Sequence, residues 1–277
     1  MDSHQYSDDT FFIFIFSLNN SGTTIMSQYI NNCILNSYLP EYGNNEGQAI
    51  PEAKTIMSIK KWDQNQKFDW SKIKTIWSSY AKKHHKKIFI ECSPPNLLRI
   101  KPITDTFPHH RSILSISSPY SYISSNVENY MEGMDIKNAI NCATMRWIKR
   151  AIIQKQNIEK FPNIPFISYE HFCKNPENLI SMLRLEKKHL KLNRNNKLRG
   201  KKNFPIQCII DMTPRHLSFL GLDGLEEANY HLKHNKKLLK FYGYKILDYE
   251  NTNSSLRDSP LLANIGLQKR INWNAKS

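Results

Sequence analysis

Short runs of nonpolar residues alternate along this chain with longer stretches in which nonpolar residues recur every three or four positions. The short runs, rich in Phe and Ile, lie within residues 11–16, 86–91, 112–117 and 164–168. Runs of this kind predict strands that are buried on both faces of a parallel sheet. Helical periodicity fills residues 24–39, 73–81, 96–103, a stretch from about 120, and residues 138–157 and 176–190. The alternation predicts an α/β fold with a central parallel sheet between two helical layers.

A small polar turn, Asn19 to Thr24, separates the first predicted strand from its helix. In a strand–turn–helix unit the free backbone N–H groups point at one spot, and the helix dipole adds positive potential there. The turn therefore predicts an anion site. It lacks the lysine of a Walker A motif, so it does not indicate an ordinary ATPase or GTPase. A plain helix cap, with Ser21 or Thr23 bonded to the free amides, is the alternative.

Two further segments follow predicted strands in the same way. They are residues 91–96, which begin with Glu91, and residues 117–125. Ligands of parallel sheets bind beyond the carboxyl ends of the strands. We therefore expect the turn at 19–24 and these two segments to share one edge of the sheet.

Composition adds a strong positive charge to this picture. The 277 residues include 39 Lys or Arg and 24 Asp or Glu, a formal net charge of +15. Such a balance indicates anionic partners, although a composition biased toward Lys, Asn and Ile gives the same number. The most basic segment, residues 181–202, is either a flap over an anionic ligand or a solvated helix face followed by a loop. We expect one domain over residues 1–250 and a polar tail over 251–277.

Sequence features bearing on location and metals are few. No nonpolar segment is long enough for a membrane span, and the first ten residues contain three Asp and no Lys or Arg. We therefore expect a soluble, cytoplasmic protein. The five cysteines contain no Cys-x-x-Cys pair and no Cys/His group with zinc spacing, so we expect no metal site.

Five short motifs occur in an order that resembles the sulfotransferase family using 3′-phosphoadenosine-5′-phosphosulfate (PAPS). They are Ser-Gly-Thr-Thr at 21–24, Glu-Cys-Ser-Pro-Pro-Asn at 91–96, Ser-Ser-Pro-Tyr at 117–120 leading to Ser125, Ser-Tyr-Glu at 168–170 and Tyr-Gly-Tyr at 242–244. The resemblance covers residues 10–247. It implies a sulfotransferase fold of the P-loop NTPase type and sulfuryl transfer, without a metal, to a hydroxyl group of a carbohydrate or small molecule.

The resemblance also assigns roles to individual residues. Glu91 is implied as the general base that takes the proton of the acceptor hydroxyl. The implied PAPS-binding residues are Asn20, Ser21, Gly22, Thr23, Thr24, Ser117, Ser125, Arg199, Lys201 and Lys202. The acceptor pocket would be shaped by residues 40–70 and 126–140, where Trp62, Trp70, Tyr130 and Met131 are either sugar-stacking or core residues.

Three cations of the family pattern are absent from this chain. Asn20, Cys92 and Ser117 stand where the family has Lys or Arg. One preorganised charge of this kind contributes on the order of 10²- to 10³-fold to a rate. Either other cations, such as Arg99, Arg111 or Lys201, replace them, or the donor is not PAPS.

Three functions therefore stay open. The first is a PAPS-dependent sulfotransferase, and the second is a degenerate sulfotransferase fold that binds an anionic sugar or nucleotide without turnover. The third, a nucleic-acid binder, is the least favoured, because the chain has no helix-turn-helix or zinc-finger motif.

Overall fold

The computed structural model describes residues 10–191, 198–199, 205–206 and 209–248. Its strands are β1 (Phe11–Ser17), β2 (Ser37–Tyr38), β3 (Ile88–Glu91), β4 (His110–Ile116), β5 (Phe166–Ser168), β6 (Leu198–Arg199) and β7 (Pro205–Ile206). Its helices are α1 (Thr23–Cys33), α2 (Pro51–Met57), α3 (Trp70–Lys83), α4 (Ile100–Thr106), α5 (Pro119–Tyr130), α6 (Ile136–Lys160), α7 (Tyr169–Lys174), α8 (Glu177–Met182), α9 (Thr213–Leu232) and α10 (Lys236–Phe241).

Five of the described strands form one parallel sheet in the order β2-β3-β1-β4-β5. The central strand β1 pairs with β3 from Phe11 opposite Ile88, and with β4 from Phe12 opposite His110. The predicted three-layer αβα fold with a central parallel sheet is confirmed. All four predicted strands are present, and β6 and β7 form a separate antiparallel pair.

The alternating side chains of β1 separate two of the hydrophobic clusters. Phe12, Phe14 and Phe16 pack on one face with nonpolar residues of α2, α3 and α4. Ile13 and Ile15 pack on the other face with residues of α1, α7 and α8. A third cluster joins α5, α6, α9 and α10 beside the carboxyl end of β4. A strand buried on both faces explains why the run 11–16 has no polar position.

Some predicted boundaries were wrong. The helix expected over 24–39 ends at Cys33, because Asn36 adopts a left-handed backbone conformation (φ 55°) and the chain then adds the edge strand β2. The short helix α2, which begins at Pro51, was not predicted. The helix expected over 176–190 ends at Met182.

Two other expectations concern the chain ends and membranes. The predicted tail, residues 251–277, lies outside the described residues. None of the helices in the described part of the chain combines the length and the nonpolar character needed to cross a bilayer.

Candidate functional site

The turn between β1 and α1 has the conformation of an anion site. Gly22 adopts a left-handed conformation (φ 76°) and directly precedes α1, and Asn20 has φ 55°. A Cβ atom at Gly22 would collide with the ring of Tyr169, so only glycine fits. Among the described residues, no side chain caps this end of α1. The alternative of a plain side-chain cap at Ser21 or Thr23 is therefore not realised, and the first-turn amides are left for another acceptor.

The end of β4 meets this turn through a pair of serines. The hydroxyls of Ser21 and Ser117 lie 3.0 Å apart, and both residues are buried. Thr23 is buried beside them, and the Thr24 hydroxyl donates to the backbone carbonyl of Asn44 (3.4 Å). Ser117 and the predicted residues 20–24 therefore lie together at the carboxyl edge of the sheet.

A cation that the sequence analysis missed approaches the same turn from α6. The guanidinium of Arg150 donates to the side-chain oxygen of Asn19 and to the hydroxyl of Tyr122. It also lies 3.8 Å from the ring centroid of Trp62, a cation–π contact. Burial lowers the pKa of Arg150, and the neighbouring Tyr122 hydroxyl partly offsets this effect.

Asn20 itself has an incomplete hydrogen-bond set. Its side-chain oxygen accepts a bond from the amide of Asn129 (3.2 Å). Its side-chain nitrogen is buried and has no partner among the described residues. A buried donor without a partner is costly, and an anion at the turn would satisfy it.

Two of the three cations suggested as replacements, Arg99 and Arg111, lie away from the turn. Arg99 is buried and donates to four backbone carbonyls, those of Lys61, Asp63, Gln66 and Pro95. Arg111 lies near the start of β4, at the opposite edge of the sheet. Lys201 lies outside the described residues.

Glu91, the last residue of β3, is almost completely buried, with 1% of its surface exposed. One carboxylate oxygen accepts bonds from the Ser93 amide (2.8 Å) and the Asn96 side chain (2.9 Å). The other oxygen accepts a bond from the Gly47 amide (2.7 Å). Burial raises the pKa of Glu91 to about 7 despite the opposing effect of these bonds, and Glu46 adds to the increase. The carboxyl group therefore titrates near neutral pH, as a general base should.

A loop of residues 44–48 covers this carboxyl group. Gly47 lies so close to it that a Cβ atom would collide with a Glu91 oxygen. The same loop receives bonds from Cys92, whose thiol donates to the Asn45 carbonyl (3.2 Å), while the Gln48 amide donates to the Ser93 hydroxyl (3.1 Å). These bonds close the loop over the Glu91 carboxyl group.

Ser125 lies on α5 next to a buried histidine from α9. The two ring nitrogens of His216 contact the hydroxyls of Ser124 (3.1 Å) and Ser125 (3.4 Å). Burial, together with Arg215, lowers the pKa of His216 to about 4, so its ring is neutral at pH 7. The hydroxyls of both serines are therefore engaged with the His216 ring.

The remaining predicted residues are only partly described. Arg199 belongs to β6, which pairs with β7, and Lys201 and Lys202 lie outside the described residues. Of the suggested acceptor-site aromatics, Trp70 and Met131 are core residues, whereas Trp62 is half-buried and Tyr130 is exposed. No group of His, Cys, Asp or Glu side chains that could hold a metal ion occurs in the described part of the chain.

Two later motifs of the resemblance meet in space. The Glu170 carboxylate accepts bonds from the Ser118 amide (2.8 Å) and from the Tyr244 hydroxyl (2.8 Å). These bonds join α7 and the segment after α10 to the start of α5. The Ser-Tyr-Glu and Tyr-Gly-Tyr motifs therefore support the position of the segment after β4.

Three solved structures with a similar fold are sulfotransferases. A sulfotransferase domain from the curacin biosynthetic pathway has a TM-score of 0.49 and 15% identity, covering 87% of this chain and 100% of its own. Sulfotransferase STF9 from Mycobacterium avium has a TM-score of 0.38 and 11% identity, covering 64% of this chain and 63% of its own. Sulfotransferase STF1 from Mycobacterium tuberculosis H37Rv has a TM-score of 0.38 and 10% identity, covering 64% and 68%.

No protein-family model and no curated protein matches the chain. Because the identities are low and the likeness is one of overall fold, the chemistry of this protein has to be argued from its own site.

Proposed function

We propose that the protein binds PAPS at the amino end of α1 and transfers its sulfuryl group to a hydroxyl acceptor. The observation that carries the proposal is the contact between Ser21 and Ser117. From β1 the chain continues through α1 to β2, at one end of the strand order. From β4 it continues through α5 and α6 to β5, at the opposite end of the strand order. Ligands of open α/β sheets bind where the connections diverge in this way. The uncapped turn at Gly22 lies at that point and suits a phosphosulfate group.

Glu91 is proposed as the general base. The oxygen of the acceptor hydroxyl attacks sulfur, the bond between sulfur and the 5′-phosphate oxygen breaks, and the hydroxyl proton passes to the Glu91 carboxylate. The products are the sulfate ester and 3′-phosphoadenosine-5′-phosphate (PAP). A pKa of about 7 leaves the carboxylate available as a base at and above neutral pH. Movement of the loop at 44–48 would open the carboxylate to the acceptor.

Arg150 is proposed to supply positive charge that the family pattern places at Asn20. Its contact with Asn19 puts the guanidinium one residue from that position. The stacking on Trp62 and the bond to Tyr122 hold the guanidinium in place, so little reorganisation is needed when an anion binds.

A second candidate function is an anion-binding module without turnover. Its specific support is the closed state of Glu91, which accepts three hydrogen bonds inside the fold and is not open to solvent. The absent cations at Asn20, Cys92 and Ser117 point the same way.

Calorimetry with PAP tests the shared step of both candidates. We expect wild type to bind PAP and Arg150→Met to bind at least about 10-fold more weakly, equivalent to about 1.4 kcal/mol. The matched control is Lys149→Met, which removes the same charge from an exposed neighbouring position of α6. No binding at about 1 mM PAP, or equal losses in both variants, would reject the assigned site.

A transfer assay with PAPS and a panel of sugars and phenols separates the two candidates. If the protein is a sulfotransferase, wild type should transfer the sulfuryl group and Glu91→Gln should abolish the transfer. The PAP affinity of Glu91→Gln should differ from that of wild type by less than about 3-fold. Binding of PAP by wild type without any transfer identifies the binding module instead. Transfer that survives in Glu91→Gln removes Glu91 as the base.

A further inference from the structure

A basic pocket lies at the opposite edge of the sheet from the turn at Gly22. Its volume is about 740 Å³, and its lining includes the first residues of β1 and β3, Phe11 and Ile88. The strand β1 has seven residues and therefore separates the two edges by about 20 Å. Binding in this pocket would be independent of the function proposed above.

The charged side chains that line the pocket are predominantly positive. Six Lys or Arg side chains and a single carboxylate line it, the cations being Lys82, Lys86, Lys87, Arg111, Arg184 and Lys188. The carboxylate, Glu186, forms an ion pair with Lys188 (2.7 Å). None of the other five cations pairs with a carboxylate in the part of the chain that the structure describes.

The cations come from three separate parts of the chain. Those at 82–87 lie at and just after the end of α3, Arg111 belongs to β4, and those at 184–188 follow α8. The helices α1, α3 and α8 end at this side of the sheet, and each helix end carries the equivalent of about half a negative charge. Three helix ends thus offset about 1.5 of the positive charges, which leaves most of the excess uncompensated.

Thr10 provides an independent sign of a ligand. It lines the pocket, the residue is 5% exposed, and its hydroxyl has no hydrogen-bond partner among the described residues. A buried hydroxyl without a partner is unfavourable, so its donor suits an oxygen atom of a bound anion.

We propose that this pocket binds a small molecule that carries two or more phosphate or sulfate groups. The volume lies in the range of small-molecule sites, about 300–1,000 Å³. Several converging Lys and Arg side chains suit a multiply charged anion better than a single one. The nonpolar part of the lining, Phe11, Leu35, Ile88 and Leu185, accommodates the uncharged body of such a molecule.

Calorimetry on the full chain with two probes tests the proposal. The probes are inorganic tripolyphosphate and a trisulfated heparin disaccharide, and the tighter of the two identifies the anion type. We expect the triple variant Lys82→Gln, Lys86→Gln, Lys87→Gln to weaken binding at least about 10-fold. The control triple variant, Lys233→Gln, Lys236→Gln, Lys237→Gln, removes the same charge from exposed positions at and before α10. It should weaken binding less than about 3-fold, because it changes only the long-range field.

A second variant, Thr10→Val, tests the site without changing its charge. It keeps the shape of the side chain and removes a hydroxyl that has no partner to lose, so the fold should tolerate it. We expect about 3- to 10-fold weaker binding of the tighter probe, with an unchanged melting temperature.

Four results would overturn the proposal. Equal losses in both triple variants would mean that only the overall charge attracts the probes. Binding that Thr10→Val leaves unchanged, or that PAP displaces, would place the probes elsewhere. Binding of a single-stranded RNA by wild type, with no binding of either small probe, would assign the basic surface to a macromolecule.

Discussion

The buried carboxyl group of Glu91 makes the stability of this protein depend on pH in a way that one substitution removes. Its pKa is about 7 in the folded protein, compared with an ordinary value of 4.5. As the pH rises, the unfolded chain loses this proton before the folded protein does. The stability that Glu91 contributes is therefore fully present below about pH 4.5 and decreases as the pH rises through 7. The whole change amounts to about 3 kcal/mol.

Substitution Glu91→Gln removes this titration and adds a local cost. The side-chain amide nitrogen of glutamine must face a donor, either the Gly47 amide or the Ser93 amide. We expect the variant to be less stable than wild type at pH 5 by about 1–3 kcal/mol. Between pH 5 and pH 8 wild type loses roughly 2–3 kcal/mol that the variant keeps, so the difference shrinks or reverses.

Urea unfolding followed by tryptophan fluorescence measures this difference. Trp77 is completely buried, and its indole donates to the Gly47 carbonyl (3.1 Å), so its emission reports on the structure around Glu91. Circular dichroism should give coincident transitions if unfolding is two-state. Other titrating groups are the same in both proteins and cancel in the difference.

The control is Glu132→Gln, which removes an exposed carboxylate. Its stability difference from wild type should stay constant within about 0.5 kcal/mol between pH 5 and pH 8. If the Glu91→Gln difference is equally constant, the Glu91 carboxyl group is not held neutral by burial, and its candidacy as a base near neutral pH fails with it.

Two further substitutions test packing at the site. Gly22→Ala should destabilise the fold by about 1–3 kcal/mol and weaken PAP binding, because the added Cβ atom meets the Tyr169 ring. The control is Gly133→Ala, where φ is also positive (82°) but the surrounding space is open, so only the backbone strain should lower the stability. Gln154→Met should cost about 1–3 kcal/mol, because the buried Gln154 amide donates to two strand carbonyls (2.8 Å each), whereas Gln156→Met at an exposed position of the same helix should be nearly neutral. Urea unfolding of each pair, with calorimetry for the glycine pair, measures these effects. Equal effects within either pair would contradict the assigned contacts.

The sheet was predictable because a strand buried on both faces consists of an unbroken run of nonpolar residues. Residues 11–16 contain only Phe and Ile, and β1 is indeed the central strand, packed on both sides. The edge strand β2 has two residues, too few for any period to appear. Its position follows from the turn at Asn36, a left-handed conformation that Asn tolerates but that the hydrophobic pattern does not encode.

Part of the candidate site could likewise be predicted from the sequence, and part could not. The turn at Gly22 was found because strand, turn and helix are contiguous, and the order of short motifs pointed to Glu91. Arg150 was missed because its contact with Asn19 spans 131 residues, and its helix looked like an ordinary amphipathic one. The burial of Glu91 was also hidden, since it depends on Gly47, in a loop with no periodic pattern. The conformation of a turn can be predicted from neighbouring residues, whereas a charge contributed by a residue distant in sequence cannot.

The loop at 44–48 also has a thermodynamic consequence. It is bound to α1 through Thr24 and Gln28, which donate to the Asn44 carbonyl and the Asn45 side chain, and it is bound to Glu91 through the Gly47 amide. A ligand that shifts the first turns of α1 therefore also shifts the Gly47 amide, which donates a hydrogen bond to Glu91. The Glu91 carboxyl group is half-protonated near pH 7, so this shift changes its protonation. Ligand affinity and proton uptake or release become one linked equilibrium. Its signature is a heat of nucleotide binding near neutral pH that changes with the ionisation enthalpy of the buffer.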